Sequence, residues 1–347
     1  MIASLAHNAD SASPSLASRV DLPAVEAVML RLAVGERLDI AGEMAAECLR
    51  SGGKRLRARL ALAAGHALGV AEEVLVPWAA ACELLHNATL IHDDIQDADR
   101  VRRGRPTAWA RHGVGQAINA GDLMLMLPFL AVGEIEAPPA TRGRLCAAIA
   151  IAAARTARGQ AEEMDLPNHD EVGWPEWIRA AEGKSGALLG LPVQGAAILA
   201  GLDDRCSHAL GAAFSRAGVL YQLQDDLLDL SAEKGKGRAG SDIREGKMSA
   251  LVVAHLELHP AEAAETYRWL RSPELRADEV VIAAVQRRLV EGGAVDRVRE
   301  QVPVWADAVT RDATLRAIPE LAAVAEDLAE RVQRSGTAFS AVRGSAA

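Results

Sequence analysis

Two acidic clusters with the same spacing are the residues of this chain best suited to chemistry. Each follows the pattern Asp-Asp-x-x-Asp inside an otherwise apolar stretch, where uncompensated carboxylates are costly. The six residues are Asp93, Asp94, Asp97, Asp225, Asp226 and Asp229. A bound divalent cation would offset that cost directly.

Helical spacing gives each cluster a chelating geometry. Residues i and i+4 lie on one helix face about one turn, ~5.4 Å, apart, so Asp93 pairs with Asp97 and Asp225 with Asp229. Mg²⁺ prefers one or two carboxylates together with waters and substrate phosphate oxygens. One such cluster alone is equally typical of a solvated acidic helix end. Two clusters with equal spacing favour a diphosphate that is bridged to the protein by metal ions.

Two basic segments stand out in an acidic protein, at residues 100–105 and 53–57. Guanidinium groups bind phosphate oxygens bidentately and lysine acts as a point charge, so both segments are candidates for diphosphate binding. The alternative is that they form surface ion pairs with neighbouring acids. Further polar candidates share a helix face with an acidic cluster or come from other helices; they are His86, Gln222, Lys184, Ser185 and Lys247. His92 is expected to be structural.

The composition favours an all-α protein. Half of the 347 residues are hydrophobic but only 3% are aromatic, and no window shows the two-residue alternation of strands. The spacing predicts helices over 23–50, 56–68, 76–97, 119–132, 145–163, 174–202 and 207–230, with a loop at 100–107. We expect one domain over 21–335, flexible tails at 1–20 and 336–347, and a mobile loop at 233–240.

Charge and cysteine use exclude several classes of protein. The net charge of -9 and the pI near 5.6 argue against nucleic acid as a partner. The four cysteines form no CxxC pair, which favours a reducing cytoplasm. The N-terminus does not resemble a signal peptide, and the longest apolar stretch, 187–202, contains Pro192 and is too short to span a bilayer. We therefore expect a cytoplasmic protein without a transmembrane segment.

Several motifs in one order resemble the trans-isoprenyl diphosphate synthases, the polyprenyl synthetase family, and most of all its geranylgeranyl diphosphate synthases. The resemblance covers roughly residues 45–255. The matching strings are Gly-Gly-Lys-Arg-Leu-Arg (52–57), Leu-Ile-His-Asp-Asp-Ile-Gln-Asp (90–97), Arg-Arg-Gly-Arg-Pro-Thr (102–107), Gly-Asp (121–122), Lys-Ser (184–185), Tyr-Gln-Leu-Gln-Asp-Asp-Leu-Leu-Asp (221–229) and Gly-Ser-Asp through Lys (240–247).

The resemblance implies an isoprenoid synthase fold: a bundle of long, mostly antiparallel helices around a deep central cavity, usually in a homodimer. It also implies the reaction. An allylic diphosphate ionises with the help of about three Mg²⁺ ions, isopentenyl diphosphate attacks the allylic cation, and a proton is lost. Metals and cations would stabilise the leaving group as its negative charge grows.

The roles implied for individual residues follow the motifs. The metal ligands would be Asp93, Asp97 and Asp225, assisted by Asp94, Asp226 and Asp229. The allylic diphosphate would be bound by Arg102, Lys184 and Lys247. Isopentenyl diphosphate would be held by Lys54, Arg57, His86 and Arg103, and the reacting centre would be lined by Gln222 and Ser185. Ala58 and Trp109 depart from the usual proline and histidine of the family and leave the local loop shapes open.

Small residues before the first cluster bear on product length. In the family, aromatic residues at the fourth and fifth positions before the first aspartate shorten the product, and here those positions hold Thr89 and Ala88. Leu85 and Cys82 follow towards the start of this helix. None of these residues is an aromatic that would stop chain growth at a short product. We expect geranylgeranyl diphosphate or a longer product. A blocker would come from Trp78, or from Met124, Met126 or Phe129.

Three other functions stay open at this point. A class I terpene cyclase also uses an Asp-rich metal site, although its usual second motif differs and it needs no second diphosphate site. A non-catalytic subunit of a partner synthase would typically have lost acidic residues. A helical scaffold would pair its acidic and basic patches with each other and bind neither Mg²⁺ nor diphosphate.

Overall fold

The computed structural model describes residue 16 and residues 22–230 and 240–337 of the chain. Most of the predicted tails at 1–20 and 336–347 and most of the predicted loop at 233–240 lie outside these ranges. Within them the chain is helical almost throughout, which confirms the all-α class.

The helices vary widely in length, and two of the long ones end in the acidic clusters. They are α1 (Leu22–Val34), α2 (Ile40–Arg50), α3 (Leu56–Ala67), α4 (Glu72–Gln96), α5 (Ala108–His112), α6 (Val114–Gly133), α7 (Pro139–Asp165), α8 (Trp174–Ala181), α9 (Ala187–Leu199), α10 (Asp204–Asp229), α11 (Ser241–Glu245), α12 (Ala250–Leu258), α13 (Ala263–Arg271), α14 (Pro273–Ala277), α15 (Glu279–Glu291), α16 (Ala294–Thr310), α17 (Ala313–Arg316) and α18 (Pro319–Thr337). Short 3₁₀ turns cover Leu166–Asn168 and Pro260–Glu262, and Glu182–Gly186 is a π-helical turn between α8 and α9.

The helix predicted over 23–50 is two helices, so that prediction was wrong. Gly35 ends α1 with φ 62°, a conformation that glycine adopts without steric cost. Asp39 then starts α2 because its side chain accepts a hydrogen bond from Gly42 N at 2.8 Å. The apolar spacing continues across this break, which is why periodicity alone joined the two helices.

The predicted loop at 100–107 contains a small β-hairpin. Strands β1 (Val101–Arg102) and β2 (Arg105–Pro106) pair antiparallel. Both residues of the connecting turn have positive φ, 53° at Arg103 and 74° at Gly104, which is the backbone of a type I′ turn. The hairpin fixes the directions of Arg102 and Arg103.

The chain divides into two compact units. Unit 1 comprises Met1–Ala154, Leu188–Ser215 and Thr310–Leu328, and unit 2 comprises Arg155–Ala187, Arg216–Val309 and Ala329–Ala347. In unit 1, α4 packs against α3 and α6 around a core rich in alanine and leucine. Trp78 is fully buried in that core, and its indole occupies the space that a side chain at residue 195 would need. In unit 2, α12 packs against α8, α13 and α15, while α11 packs against α14 and α15.

Two helices are long and apolar enough to cross a membrane by length and composition, Glu72–Gln96 and Val114–Gly133. The first is mostly buried in unit 1 and ends in an acidic cluster, as expected of a core helix. The second exposes a larger part of its apolar surface.

Candidate active site

The first acidic cluster occupies the last turn of α4. Asp97 is the C-cap, and its N–H donates to Asp93 O at 2.8 Å. Asp94 is buried, whereas Asp93 and Asp97 are partly exposed. Carboxylates at a helix C-terminus face the negative end of the helix dipole, where cations rather than anions are stabilised. The cluster is therefore electrostatically suited to receive a cation.

The hairpin brings a guanidinium to this helix end. Arg102 Nε donates to Asp94 Oδ1 at 2.5 Å, and Arg102 Nη2 lies 3.9 Å from Asp99 Oδ2. Burial raises the pKa of Asp94 to about 6, although Arg102 opposes that shift by favouring the ionised carboxylate. Arg102 is thus held beside the first cluster with its remaining donors uncommitted to Asp94.

The other hairpin arginine reaches the glycine-rich turn after α2. Arg103 Nη1 donates to Gly52 O and lies 3.3 Å from Ser51 Oγ. A Cβ at Gly53 would approach the Arg103 guanidinium to 2.9–3.1 Å, and Gly53 itself has φ 138°. Gly53 therefore leaves Arg103 room against the backbone, and a side chain there would displace the guanidinium.

The basic segment at the start of α3 places its side chains in different environments. Lys54 is exposed, whereas Arg57 is 7% exposed and its Nη1 lies 3.3 Å from His86 Nε2. Arginine can only donate, so Nε2 accepts and the ring proton resides on Nδ1. Nδ1 is buried without a hydrogen-bond partner among the described residues, which marks it as a donor available to a ligand.

The charge state of His86 follows from this environment. Burial lowers the pKa of His86 well below its usual value, and the neighbouring guanidinium of Arg57 lowers it further. His86 is thus a neutral hydrogen-bond donor at physiological pH. Together with Arg57, Arg102 and Arg103 it forms a basic group within unit 1, next to the first acidic cluster.

The second acidic cluster occupies the last turn of α10. Both carboxylate oxygens of Asp226 accept hydrogen bonds, from Gln222 Nε2 at 2.8 Å and from Ala250 N at 2.6 Å. Asp229 accepts from Ser241 Oγ and from Asp242 N at 3.0 Å. These two buried carboxylates attach α10 to α11 and α12, while Asp225 is partly exposed. As in α4, the negative end of the helix dipole favours a cation here.

The π-helical turn Glu182–Gly186 carries Lys184 and Ser185. Ser185 Oγ donates to Gln222 Oε1 at 3.3 Å, which links this turn to α10. Glycines allow close backbone approach on both sides: a Cβ at Gly159 would lie 2.2 Å from Lys184 N, and one at Gly218 would lie 2.2 Å from Gly186 N. Single π turns recur at functional sites, and this one fixes the backbone of both predicted residues.

Two glutamates that sequence reasoning missed are partners of the predicted lysines. Lys184 forms an ion pair with Glu163, and Lys247 Nζ lies 2.6 Å from Glu245 Oε2. All four side chains are mostly buried. Glu245 stands two residues before Lys247 and could have been suspected from that spacing, but nothing in the sequence connects Glu163 to Lys184.

The two departures from the family pattern keep a hydrogen bond at each position. Trp109 Nε1 donates to Asp99 O at 2.7 Å, so the indole retains a ring donor where histidine is usual. Ala58 N donates to Glu83 Oε2 at 3.2 Å, a bond that proline could not make. After Glu163 and Glu245, Glu83 is a third carboxylate that the sequence reasoning did not identify.

The residues predicted to govern product length lie in unit 1. Leu85 and Ala88 are fully buried, and Thr89 Oγ1 donates to His86 O at 2.8 Å. Trp78 and Met124 are buried, but Met126 is 56% exposed, so the suggestion that Met126 blocks a path inside the chain was wrong. His92 packs against Gly121, and its Nε2 lies 3.4 Å from Asp122 Oδ1. These contacts between α4 and α6 fit the structural role expected for it.

Each unit thus gathers its own share of the predicted site. Unit 1 brings together Asp94, Arg102, Arg103, Arg57 and His86, and unit 2 brings together Ser185, Gln222 and Asp226. The convergence of the two acidic clusters on one pocket stays a prediction. Within residues 22–230 and 240–337, no group of three His, Cys, Asp or Glu side chains suffices to hold a metal ion alone.

Comparison with known proteins identifies the family. Residues 38–287 match the family model described as polyprenyl synthetase. The chain is 35% identical over 257 residues to a geranylgeranyl pyrophosphate synthase of Geoglobus acetivorans, covering 73% of this chain and 77% of that one. It is 36% identical over 178 residues to a (2E,6E)-farnesyl diphosphate synthase of Mycobacterium tuberculosis, covering 51% of this chain and 49% of that one. A Caulobacter crescentus polyprenyl synthase, solved with calcium and isoprenyl diphosphate, superposes with a TM-score of 0.79 at 25% identity, covering 90% and 94%.

An all-α fold with an Asp-rich cluster at the end of each of two long helices, together with these matches, defines a prenyltransferase acting on isoprenoid diphosphates. The chain belongs to the polyprenyl synthetase family. It is a trans-prenyltransferase that carries out isoprenoid chain elongation.

Proposed function

We propose that this enzyme is a Mg²⁺-dependent synthase that adds isopentenyl diphosphate to an allylic diphosphate and makes a C20 or longer product. The observation that carries the proposal is the placement of both acidic clusters in the last turn of a long helix. Carboxylates at these ends oppose the helix dipoles, and bound cations relieve that repulsion. A diphosphate headgroup would then complete the charge balance.

Three aspartates would hold the metal ions, Asp93, Asp97 and Asp225, which are the partly exposed members of the clusters. When bound, Mg²⁺ neutralises the charge that develops on the diphosphate as the C–O bond breaks. Asp94, Asp226 and Asp229 would support these ligands, since each already binds a neighbouring group. Arg102, Lys184 and Lys247 would bind the allylic diphosphate by charge-assisted hydrogen bonds.

A second group of residues would bind isopentenyl diphosphate without metal. Lys54 is exposed and can bind phosphate as a point charge, while Arg57 and Arg103 supply guanidinium groups. His86 would donate through its Nδ1–H, which has no hydrogen-bond partner in the part of the chain that the structure describes. Gln222 and Ser185, which bond to each other, would line the reacting centre.

Replacing Asp93 with asparagine tests the metal-ligand role. Asparagine keeps the size but removes the anionic charge, so we expect kcat to fall by about 100-fold or more, as is typical when charge stabilisation of a transition state is removed. The assay is incorporation of labelled isopentenyl diphosphate with Mg²⁺ and a farnesyl diphosphate starter. The control is Asp296→Asn, the same change at a 60% exposed position of α16.

The outcomes separate the alternatives. Near-normal elongation by Asp93→Asn would contradict the proposed metal site. Wild-type enzyme that converts farnesyl diphosphate alone into a hydrocarbon would indicate a terpene cyclase. Calorimetry without heat from either Mg²⁺ or diphosphate would support a scaffold.

Product length is tested at Ala88, which is fully buried near the acidic end of α4. The relatives include both geranylgeranyl and farnesyl synthases, so the family leaves the length open. Because no aromatic stands at 88 or 89, we expect wild-type product of C20 or longer and a shorter product from Ala88→Phe. Product length is measured by chromatography of the dephosphorylated products. The control is Ala140→Phe, the same change at an exposed position. Unchanged length in Ala88→Phe would contradict a tail path along α4.

We further propose a cytoplasmic homodimer that uses the outer face of α6. Exposed apolar side chains recur there at helical spacing, namely Val114, Ile118, Met126 and Leu130. Large apolar side chains exposed on one helix are common at protein interfaces. A second copy of the chain would cover it symmetrically.

A further inference from the structure

Arg55 combines an unusual backbone with a buried charge. Its φ of 49° and ψ of 41° place it in the left-handed region, which non-glycine residues enter at a steric cost. Its side chain is only 5% exposed. A costly conformation at a buried arginine indicates that the surrounding contacts enforce it.

Those contacts connect Arg55 to two other helices. Arg55 Nε donates to Glu26 Oε1 of α1 at 2.9 Å, and Nη2 donates to Leu49 O in the last turn of α2 at 2.5 Å. The second bond satisfies a carbonyl of the type that a helix C-terminus leaves without an intrahelical partner. The planar guanidinium serves both acceptors at once, which the single ammonium of lysine cannot do in the same geometry.

A pocket of about 340 Å³ lies against the side chain, lined by Glu26, Met29, Leu30, Leu49, Arg50, Gly52 and Arg55. Within this lining, the bonds to Glu26 and to the Leu49 carbonyl fix the position of the guanidinium.

The neighbours of Arg55 are the residues assigned to isopentenyl diphosphate. Lys54 precedes it and is exposed, and Arg57 follows two residues later and contacts His86. Arg55 O accepts the N–H of Arg59 at 2.9 Å and so begins the hydrogen bonds of α3. The direction of Lys54 and the start of α3, from which Arg57 projects, thus both depend on the backbone of Arg55.

We propose that Arg55 and Glu26 form a positioning pair for the isopentenyl diphosphate site. Arg55 contacts α1 and α2 and holds Lys54 and Arg57 in the orientation that receives the diphosphate. The inference rests on the proposed function, since it takes Lys54 and Arg57 as the ligands of that substrate. It assigns to Arg55 an effect on one of the two substrates only.

Steady-state kinetics of Glu26→Gln tests the pair with little threat to folding, because the Glu26 side chain is 45% exposed. We expect KM for isopentenyl diphosphate to rise about tenfold, as for loss of a charge-assisted hydrogen bond, with kcat and the KM for farnesyl diphosphate within about twofold of wild type. Arg55→Lys should give an equal or larger rise. In the double variant the two effects should not multiply, because both changes break one contact.

A matched control comes from the same helix. Arg31 of α1 forms a two-bond ion pair with Glu134, at 2.8 and 2.6 Å, away from the basic segment. Glu134→Gln should leave both KM values unchanged.

The results distinguish failure of the positioning role from failure of the proposed function. Unchanged KM for isopentenyl diphosphate in both Glu26→Gln and Arg55→Lys would overturn the positioning role. An equal rise in both KM values, or a loss of kcat alone, would also overturn it, since either indicates a general structural effect. Absence of elongation by the wild-type enzyme would instead refute the proposed function itself.

Discussion

Arg102 illustrates how one residue can serve two purposes at the helix end. Its Nε binds Asp94, and the guanidinium retains other donors in a fixed plane that suits phosphate oxygens. A lysine could not bind the carboxylate and the substrate in the same fixed geometry, because its ammonium is a single point charge. From the sequence, ion pairing between the basic and acidic segments was an alternative to diphosphate binding. The Arg102–Asp94 pair shows that one arginine can form the ion pair and still have donors directed elsewhere.

His86 gives a prediction about stability against pH. Its folded-state pKa is lowered, chiefly by burial, so below about pH 6.5 the unfolded chain binds a proton that the folded protein does not. The stability associated with neutral His86 is therefore present above that pH and is lost as the pH falls below it. We expect the free energy of unfolding of His86→Gln to fall less than that of wild type between pH 7.5 and 5.5.

Urea unfolding of both proteins at the two pH values measures this difference. The control is His169→Gln, because His169 is 60% exposed and forms only a surface pair with Asp165. An identical loss of stability in wild type and His86→Gln would contradict the assignment of a buried neutral imidazole.

At the scale of elements, apolar periodicity predicted the long helices well and their interruptions poorly. The helices predicted over 76–97 and 207–230 correspond to α4 and α10, because an amphipathic stripe is a property of local sequence. The break at Gly35, the hairpin at 101–106 and the π turn at 182–186 depend on backbone φ and on contacts distant in sequence. Arg103 is the clearest case, since a left-handed arginine is not suggested by any residue preference.

The glycine pair before Lys54 offers a matched test of the Arg103 contact. Gly52 and Gly53 both have positive φ, at 86° and 138°, but only a Cβ at Gly53 would meet Arg103. Gly52→Ala should cost stability of the order of 1 kcal/mol through backbone strain alone. Gly53→Ala should cost at least as much and also displace the Arg103 guanidinium.

The kinetic difference between the two variants is the measurement. We expect Gly53→Ala to raise KM for isopentenyl diphosphate about tenfold relative to Gly52→Ala, the scale of one charge-assisted hydrogen bond. Equal KM values in both variants would show that the contact between Gly53 and Arg103 is irrelevant to substrate binding.

At the scale of the whole molecule, the net charge is -9, yet basic side chains are concentrated locally. Basic groups are gathered near the first acidic cluster in unit 1, where hairpin and helix ends meet. The sequence motifs identified nearly all of these basic residues, because the chemical role of a motif position dictates its residue type. Their supporting partners, such as Glu163 and Glu26, were missed because the contacts span 21 and 29 residues and leave no local pattern.

The outer face of α6 carries the prediction about assembly. Met126 and Leu130 are each 56% exposed, and charges placed there would be buried unpaired in a symmetric interface. We expect the Met126→Glu, Leu130→Glu double variant to shift the protein from dimer to monomer in sedimentation velocity. Val280→Glu, at an equally apolar but 76% exposed position of α15, is the control. A wild-type protein that sediments as a monomer would contradict the proposal.

Among the residues that the structure describes, three non-glycine residues have a left-handed backbone, Arg55, Ala98 and Arg103, and all three lie in or beside the motifs proposed to bind substrate. Each keeps a conformation that glycine would adopt at lower cost. At Ala98 glycine would relieve that cost without removing a polar contact of the side chain, so selection for heat resistance is expected to favour Ala98→Gly. At 55 and 103 glycine would also remove guanidinium contacts to Glu26, the Leu49 carbonyl and the Gly52 carbonyl, so the arginines are expected to be retained there.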